Sequence, residues 1–153
     1  MERETAYEEP RASVSQELKK FLTISVENEV YGIEIDHVND INRIQEITEV
    51  PHQFPFVMGI INLRGQIIPV INIRKRFMKA EIPFDDRTCI IVIRHEDNNV
   101  GLIVDRVEEV LAIPKELLNN TEHSEQKSKF IIGITKFNDQ IITLLDIERI
   151  LYD

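Results

Sequence analysis

Residues 59–77 read GIINLRGQIIPVINIRKRF, and residues 133–151 read GITKFNDQIITLLDIERIL. Laid over one another at an offset of 74 positions, the two stretches share 6 of 19 residues, with Gly59 on Gly133 and Gln66 on Gln140. Each holds two β-branched runs separated by a short polar break, which is the pattern of a hairpin. Each then passes a helix-capping residue, Asn72 or Asp146, which predicts short helical turns over Ile73–Met78 and Ile147–Leu151. A repeated hairpin with a repeated cap implies a duplicated unit.

Working outward, residues 21–44 match residues 90–113 at an offset of 69, with 6 identities in 24. These set Glu27 on Glu96, Gly32 on Gly101, Asp36 on Asp105 and Val38 on Val107. Six of the twelve identities are isoleucine, so the glycines, the acidic residues and the preserved order carry the weight. Phe21–Val26 reads as a strand, Glu27-Asn28-Glu29 as a turn and Val30–Ile35 as the returning strand. Ile90–Ile93, a turn at Asp97-Asn98-Asn99 and Val100–Asp105 repeat that order. Between the hairpins, Val38, Ile41, Ile44 and Ile47 keep an apolar character as far as Val50-Pro51, where proline disfavours a central strand. The change of offset falls between Ile113 and Gly133, around the polar, loop-like EHSEQKS. The expected fold is mainly β: two small barrels or sandwiches, each too small to be stable alone, packed together with a groove at their seam. Residues 1–17, polar and without periodicity, read as a flexible tail in which Ser13–Gln16 has capping-box spacing. The first lobe is placed at about 18–82 and the second at about 83–153.

Composition narrows the function. With 18 Lys and Arg against 27 Asp and Glu, the net charge of −9 repels phosphate backbones and anionic headgroups, which disfavours nucleic acid as a partner. No stretch approaches the ~20 apolar residues of a membrane span, and MERETAYEEP lacks the apolar core of a signal peptide, so a cytoplasmic protein is expected. The single cysteine, Cys89, opens an apolar strand and reads as a small core side chain.

Nothing points to an enzyme. The phosphate-loop, dinucleotide, nucleophile-elbow and zinc-protease motifs are all missing, as are paired cysteines. His37, His52, His95 and His123 fall in separate segments without metal-ligand spacing, and neither Glu8-Glu9 nor Glu108-Glu109 is marked as an acid and base pair. Neither a metal nor a cofactor is expected. Arg74-Lys75-Arg76 with Lys79 could suggest a small-barrel nucleic-acid binder, but positive charge late in a helical turn suits its dipole and no aromatic series accompanies it. Arg64-Gly65 occupies the turn that the second repeat closes with Asn138-Asp139. Arginine is not favoured where a tight hairpin demands positive φ, so Arg64 is either a soluble surface residue or a docking point.

Taken with VYGIEIDHVNDI, VGLIVDRVEEVL and FIIGITKFNDQIITLLDIERIL, the opening motif resembles the CheW family of bacterial chemotaxis coupling proteins, from about Phe21 to Leu151. The resemblance implies two SH3-like five-stranded β-barrels around a hydrophobic groove, and a non-enzymatic adaptor. Such proteins bridge the cytoplasmic tips of methyl-accepting chemoreceptors to the regulatory domain of the CheA histidine kinase. That domain shares the fold and alternates with the adaptor in rings through matching lobes. Carried over to this chain, the receptor surface would include Val38, Asp40, Ile41 and Arg64, with Gly101, Val107 and Val110 from the second lobe. Kinase contacts would lie at lobe ends around Gly59 and Asn62. The implied protein is monomeric alone and recruited from the cytoplasm to membrane-associated receptor arrays, without inserting in the membrane. Asn72 stands where the family often has Asp, and Asp40 where Glu is common. A stand-alone coupling protein is the expectation. The alternatives are the adaptor module of a receiver-containing relative, although these 153 residues hold no receiver, and a small-barrel nucleic-acid binder.

Overall fold

The computed structural model describes residues 17–51, 56–119 and 129–152. The expected tail, apart from its last residue, and the run EHSEQKS lie outside these residues, as do His52 and His123. Among the described residues are the strands β1 (Leu18–Val26), β2 (Glu29–Glu34), β3 (Val38–Arg43), β4 (Val57–Leu63) and β5 (Gln66–Asn72), then helix α1 (Ile73–Arg76). They are followed by β6 (Cys89–His95), β7 (Asn98–Val104), β8 (Arg106–Pro114), α2 (Lys115–Asn119), β9 (Ile131–Phe137), β10 (Gln140–Leu145) and α3 (Ile147–Tyr152). Ile35, expected to end the second strand, instead opens a 3-10 turn over Ile35–His37. Helix α2 was not expected.

The hairpins sit close to where the sequence puts them. Their tight turns need left-handed backbone, which twists in the same sense as the strands they join. It is found at Glu27 and Asn28 (φ 53° and 65°), at Arg64 and Gly65 (50° and 87°), at Glu96 (59°) and at Asn138 and Asp139 (55° and 62°). Arg64 does adopt the predicted costly conformation, but two glutamates adopt it as well, so turn strain alone does not single out the arginine. Both caps form: the Arg74 amide donates to Asn72 Oδ1 at 3.0 Å and the Arg149 amide to Asp146 Oδ1 at 3.2 Å.

Strand pairing follows the duplication in a way the sequence did not foresee. One sheet runs β9-β10-β2-β1-β8 and the other β4-β5-β7-β6-β3. Replacing each strand by its repeat partner converts the first order into the second. Details repeat as well: register irregularities fall at Val57/Gly59 and at Ile131/Gly133, and the parallel seams pair Leu144 with Gly32 and Val70 with Gly101. The division expected near residue 82 is therefore not the boundary between barrels. Barrel II takes its strands from 38–104 without interruption, and barrel I is built from 18–34 together with 106–145. Hydrophobic alternation fixes which face of a strand is buried, not which strand lies beside it, so local pattern could not reveal this exchange.

Three apolar cores result. Phe21, Leu111, Ile113, Ile142 and Leu144 fill barrel I, and Ile61, Ile68, Val70, Ile90, Val92 and Ile103 fill barrel II. The largest cluster lies between them, where Leu22, Ile24 and Ile33 of barrel I meet Ile71, Ile91 and Leu102 of barrel II, with Ile147 and Ile150 of α3. Each such side chain contributes about 1.5–3 kcal/mol by leaving water. Cys89 packs on the edge of this cluster, and burial pushes its thiol up from the ordinary value, in keeping with a packing role.

Polar contacts pin the barrels together. Arg74, 8% exposed, grips Asp105 through Nε to Oδ1 (2.9 Å) and Nη2 to Oδ2 (2.7 Å) and donates a third bond to the Ala80 carbonyl. Asp105 is the single residue joining β7 of one barrel to β8 of the other, and it also accepts from the Glu27 amide at the barrel I hairpin. Arg76 reaches the carbonyls of Ile150 and Arg149 at the end of α3. Arg74 and Arg76 of the basic cluster therefore brace the fold, while Lys75 is exposed.

Candidate docking site

Strand β3 forms one edge of barrel II, and its burial alternates, so Asp40 turns toward the barrel mouth while Ile41 faces outward. At that mouth the turn between β4 and β5 delivers Arg64, whose Nη2 is ion-paired with Asp40 Oδ2. Below the pair, Asn39, Leu63, Gln66, Ile68, Val92 and Asn99 line a recess of about 290 Å³. Hydrogen bonding from Arg64, joined by the Ile41 amide, holds the Asp40 carboxyl below its ordinary range, so it is a carboxylate at neutral pH. Asn62 organises the turn from the other side: its Oδ1 accepts from the Gly65 amide at 3.0 Å, and its carbonyl accepts from Gln45 Nε2 at 3.1 Å.

Two expected contact residues are placed otherwise. Asp40, Val92, Gly101, Val70 and Gly59 form one row across barrel II, and both glycines are buried in it. A Cβ on Gly59 would lie 2.4 Å from the Thr48 carbonyl oxygen, which pairs with the Ile60 amide. A Cβ on Gly101 would lie 2.8 Å from both Ile90 and Val70. Close packing explains both residues, and neither has a surface to offer a partner.

The remaining positions split by exposure. Val38 and Val107, one another's repeat partners, are half-buried against the shared core. Ile41 and Val110, also repeat partners, are 42% and 51% exposed on the edges of barrels II and I. A second matched pair that the sequence reading did not select, Ile67 and Ile141, is 59% and 64% exposed. The seam expected to be a groove is mostly filled by the central core. A groove of about 850 Å³ opens at its margin, between Phe56, Ile60, Ile67 and Pro69 of the barrel II segment and Leu151 and Tyr152 of α3.

Comparison with known proteins now bears on these surfaces. The model of the CheW-like domain matches residues 20–153. The chain belongs to the CheW family. It is 36% identical over 143 residues to the chemotaxis protein CheW of Thermotoga maritima, covering 91% of this chain and 93% of that one. With the CheW of Klebsiella aerogenes it shares 30% over 135 residues, 87% of this chain and 81% of that one. The crystal structure of the scaffolding protein TtCheW from Thermoanaerobacter tengcongensis superposes with a TM-score of 0.78 at 33% identity, covering 89% and 94%. This CheW-like chain is a non-enzymatic scaffold of chemotaxis signalling. None of its described helices is long and apolar enough to cross a membrane.

Proposed function

We propose that this protein couples methyl-accepting chemoreceptors to a CheA-type histidine kinase, recruited from the cytoplasm to receptor arrays. The observation that carries the reading is the Asp40–Arg64 pair. Two residues 24 positions apart, each marked separately by the family resemblance, converge at one barrel mouth beside the exposed Ile41. An exposed Arg64 paired with the Asp40 carboxylate beside the apolar Ile41 suits recognition of a polar helical tip, with arginine as the anchor. Exposure of Val110 adds to the receptor-facing surface, and the matched exposure of Ile67 and Ile141 supports the second contact. A barrel of the same fold on the kinase could meet either end of the adaptor through equivalent patches. On the kinase side the exposed Asn62 remains a contact, and Gly59 acts beneath it.

The test is co-sedimentation with a receptor signalling tip and, in a separate tube, with the kinase regulatory domain. Binding to both is expected, and binding to neither would overturn the reading.

A further inference from the structure

The strand exchange has a consequence for how the chain recognises itself. Cutting between α1 and β6 divides the protein into its two repeats, and neither piece holds a complete barrel. Residues up to α1 carry β1 and β2 of barrel I with β3, β4 and β5 of barrel II; residues from β6 onward carry the complement. Four ladders run within a repeat (β1 with β2, β4 with β5, β6 with β7, β9 with β10). Four run between repeats (β1 with β8, β2 with β10, β3 with β6, β5 with β7). The central core and the Arg74–Asp105 grip also take one side from each repeat.

The covalent link between the repeats contributes little by comparison. Residues 77–88 hold no strand or helix, and residues 80–87 are exposed. Among the described residues its ties to the body lie near its ends: Phe77 packs against Tyr31 and Phe130, Arg74 donates to the Ala80 carbonyl, Lys79 pairs with Glu27, and the Ile44 amide donates to the Thr88 carbonyl. Between those anchors Glu81, Ile82, Pro83 and Phe84 face solvent. Twelve residues at about 3.3 Å each can stretch roughly 40 Å, enough to lead to a neighbouring molecule.

We propose that the two repeats are complementary recognition units that hold together without the link, and that a second copy of this chain can supply either one. In the exchanged dimer every native strand pair is kept, which makes such swapping inexpensive. Each barrel pair would then combine Asp40, Ile41 and Arg64 of one copy with Val107 and Val110 of the other. A short flexible link holds the repeats of one chain at an effective concentration near the millimolar range, so the monomer dominates in dilute solution. Exchange appears when chains refold together at high concentration.

The experiment uses the full chain with a site-specific protease sequence replacing Glu81–Phe84. A second variant carries the sequence inserted between Ile82 and Pro83 with nothing removed, in case replacement itself unfolds the protein. After cleavage the two pieces are expected to elute together at the size of the intact monomer. Their Tm should rise with protein concentration while that of the uncut chain stays constant. Pieces that separate under native conditions would overturn the proposal. Uncut chains with a light and a heavy isotope label, unfolded and refolded together at high concentration, should give mixed dimers by native mass spectrometry. Recovery of monomers alone would overturn the exchange between copies.

Discussion

Arg64 and Asp40 meet at the surface, and that location decides how their loss will register. An exposed pair contributes little to stability, so Arg64→Ala should leave Tm within about 3 °C of the parent while receptor-tip pull-down falls. A large drop in Tm would mark the arginine as structural. Gly59 should behave in the opposite way, because an added methyl meets a backbone oxygen that cannot rotate aside. Gly59→Ala is expected to cost roughly 2–3 kcal/mol in urea unfolding, as overpacking does, and to disturb kinase binding only through the fold. Sequence reading found both residues, and the packing around Gly59 adds a structural role to the expected one. A glycine beside a motif says that space is short, not whether the neighbour is a partner or the Thr48 carbonyl of the same chain.

The short elements were the most legible part of the molecule. Asn72 and Asp146 announced α1 and α3 because capping is local chemistry, and Asn72→Ala should cost about 1 kcal/mol in thermal or urea unfolding. The exchange of hairpins was hidden, since it depends on strand pairs between residues 31 to 112 positions apart that no single segment encodes. Asp105 offered the one available signal, an acidic residue held in both repeats at the point where a strand leaves one barrel for the next. Its carboxylate is held below the ordinary range chiefly by the hydrogen bonds from Arg74. A depressed value means that the grip is fully present above the unfolded carboxylate value of about 3.9 and is lost as pH falls through the lower folded one. Asp105→Asn should therefore cost about 2–3 kcal/mol at pH 7 by leaving Arg74 buried without its counter-charge. Unfolding curves of the variant and the parent should converge as the pH falls through that folded value.

At the scale of the whole molecule, the shared core makes the two barrels one thermodynamic unit despite their separate sheets. Calorimetry should show a single transition whose calorimetric and van't Hoff enthalpies agree. Two resolved peaks would mean that the barrels melt apart. The order of the strands along the chain also gives the molecule a history each time it is made. Barrel II, read out from 38–104 without a break, can close as soon as β7 clears the ribosome. The hairpin of β1 and β2 is synthesised first and completed last, because its neighbours β8 and β10 are not finished until residue 145 has been added. At about 5–20 residues per second that is a wait on the order of ten seconds, with a row of unpaired backbone groups on display. Among the described strands, this first hairpin waits longest for its partners, and a chaperone would have most to shield there.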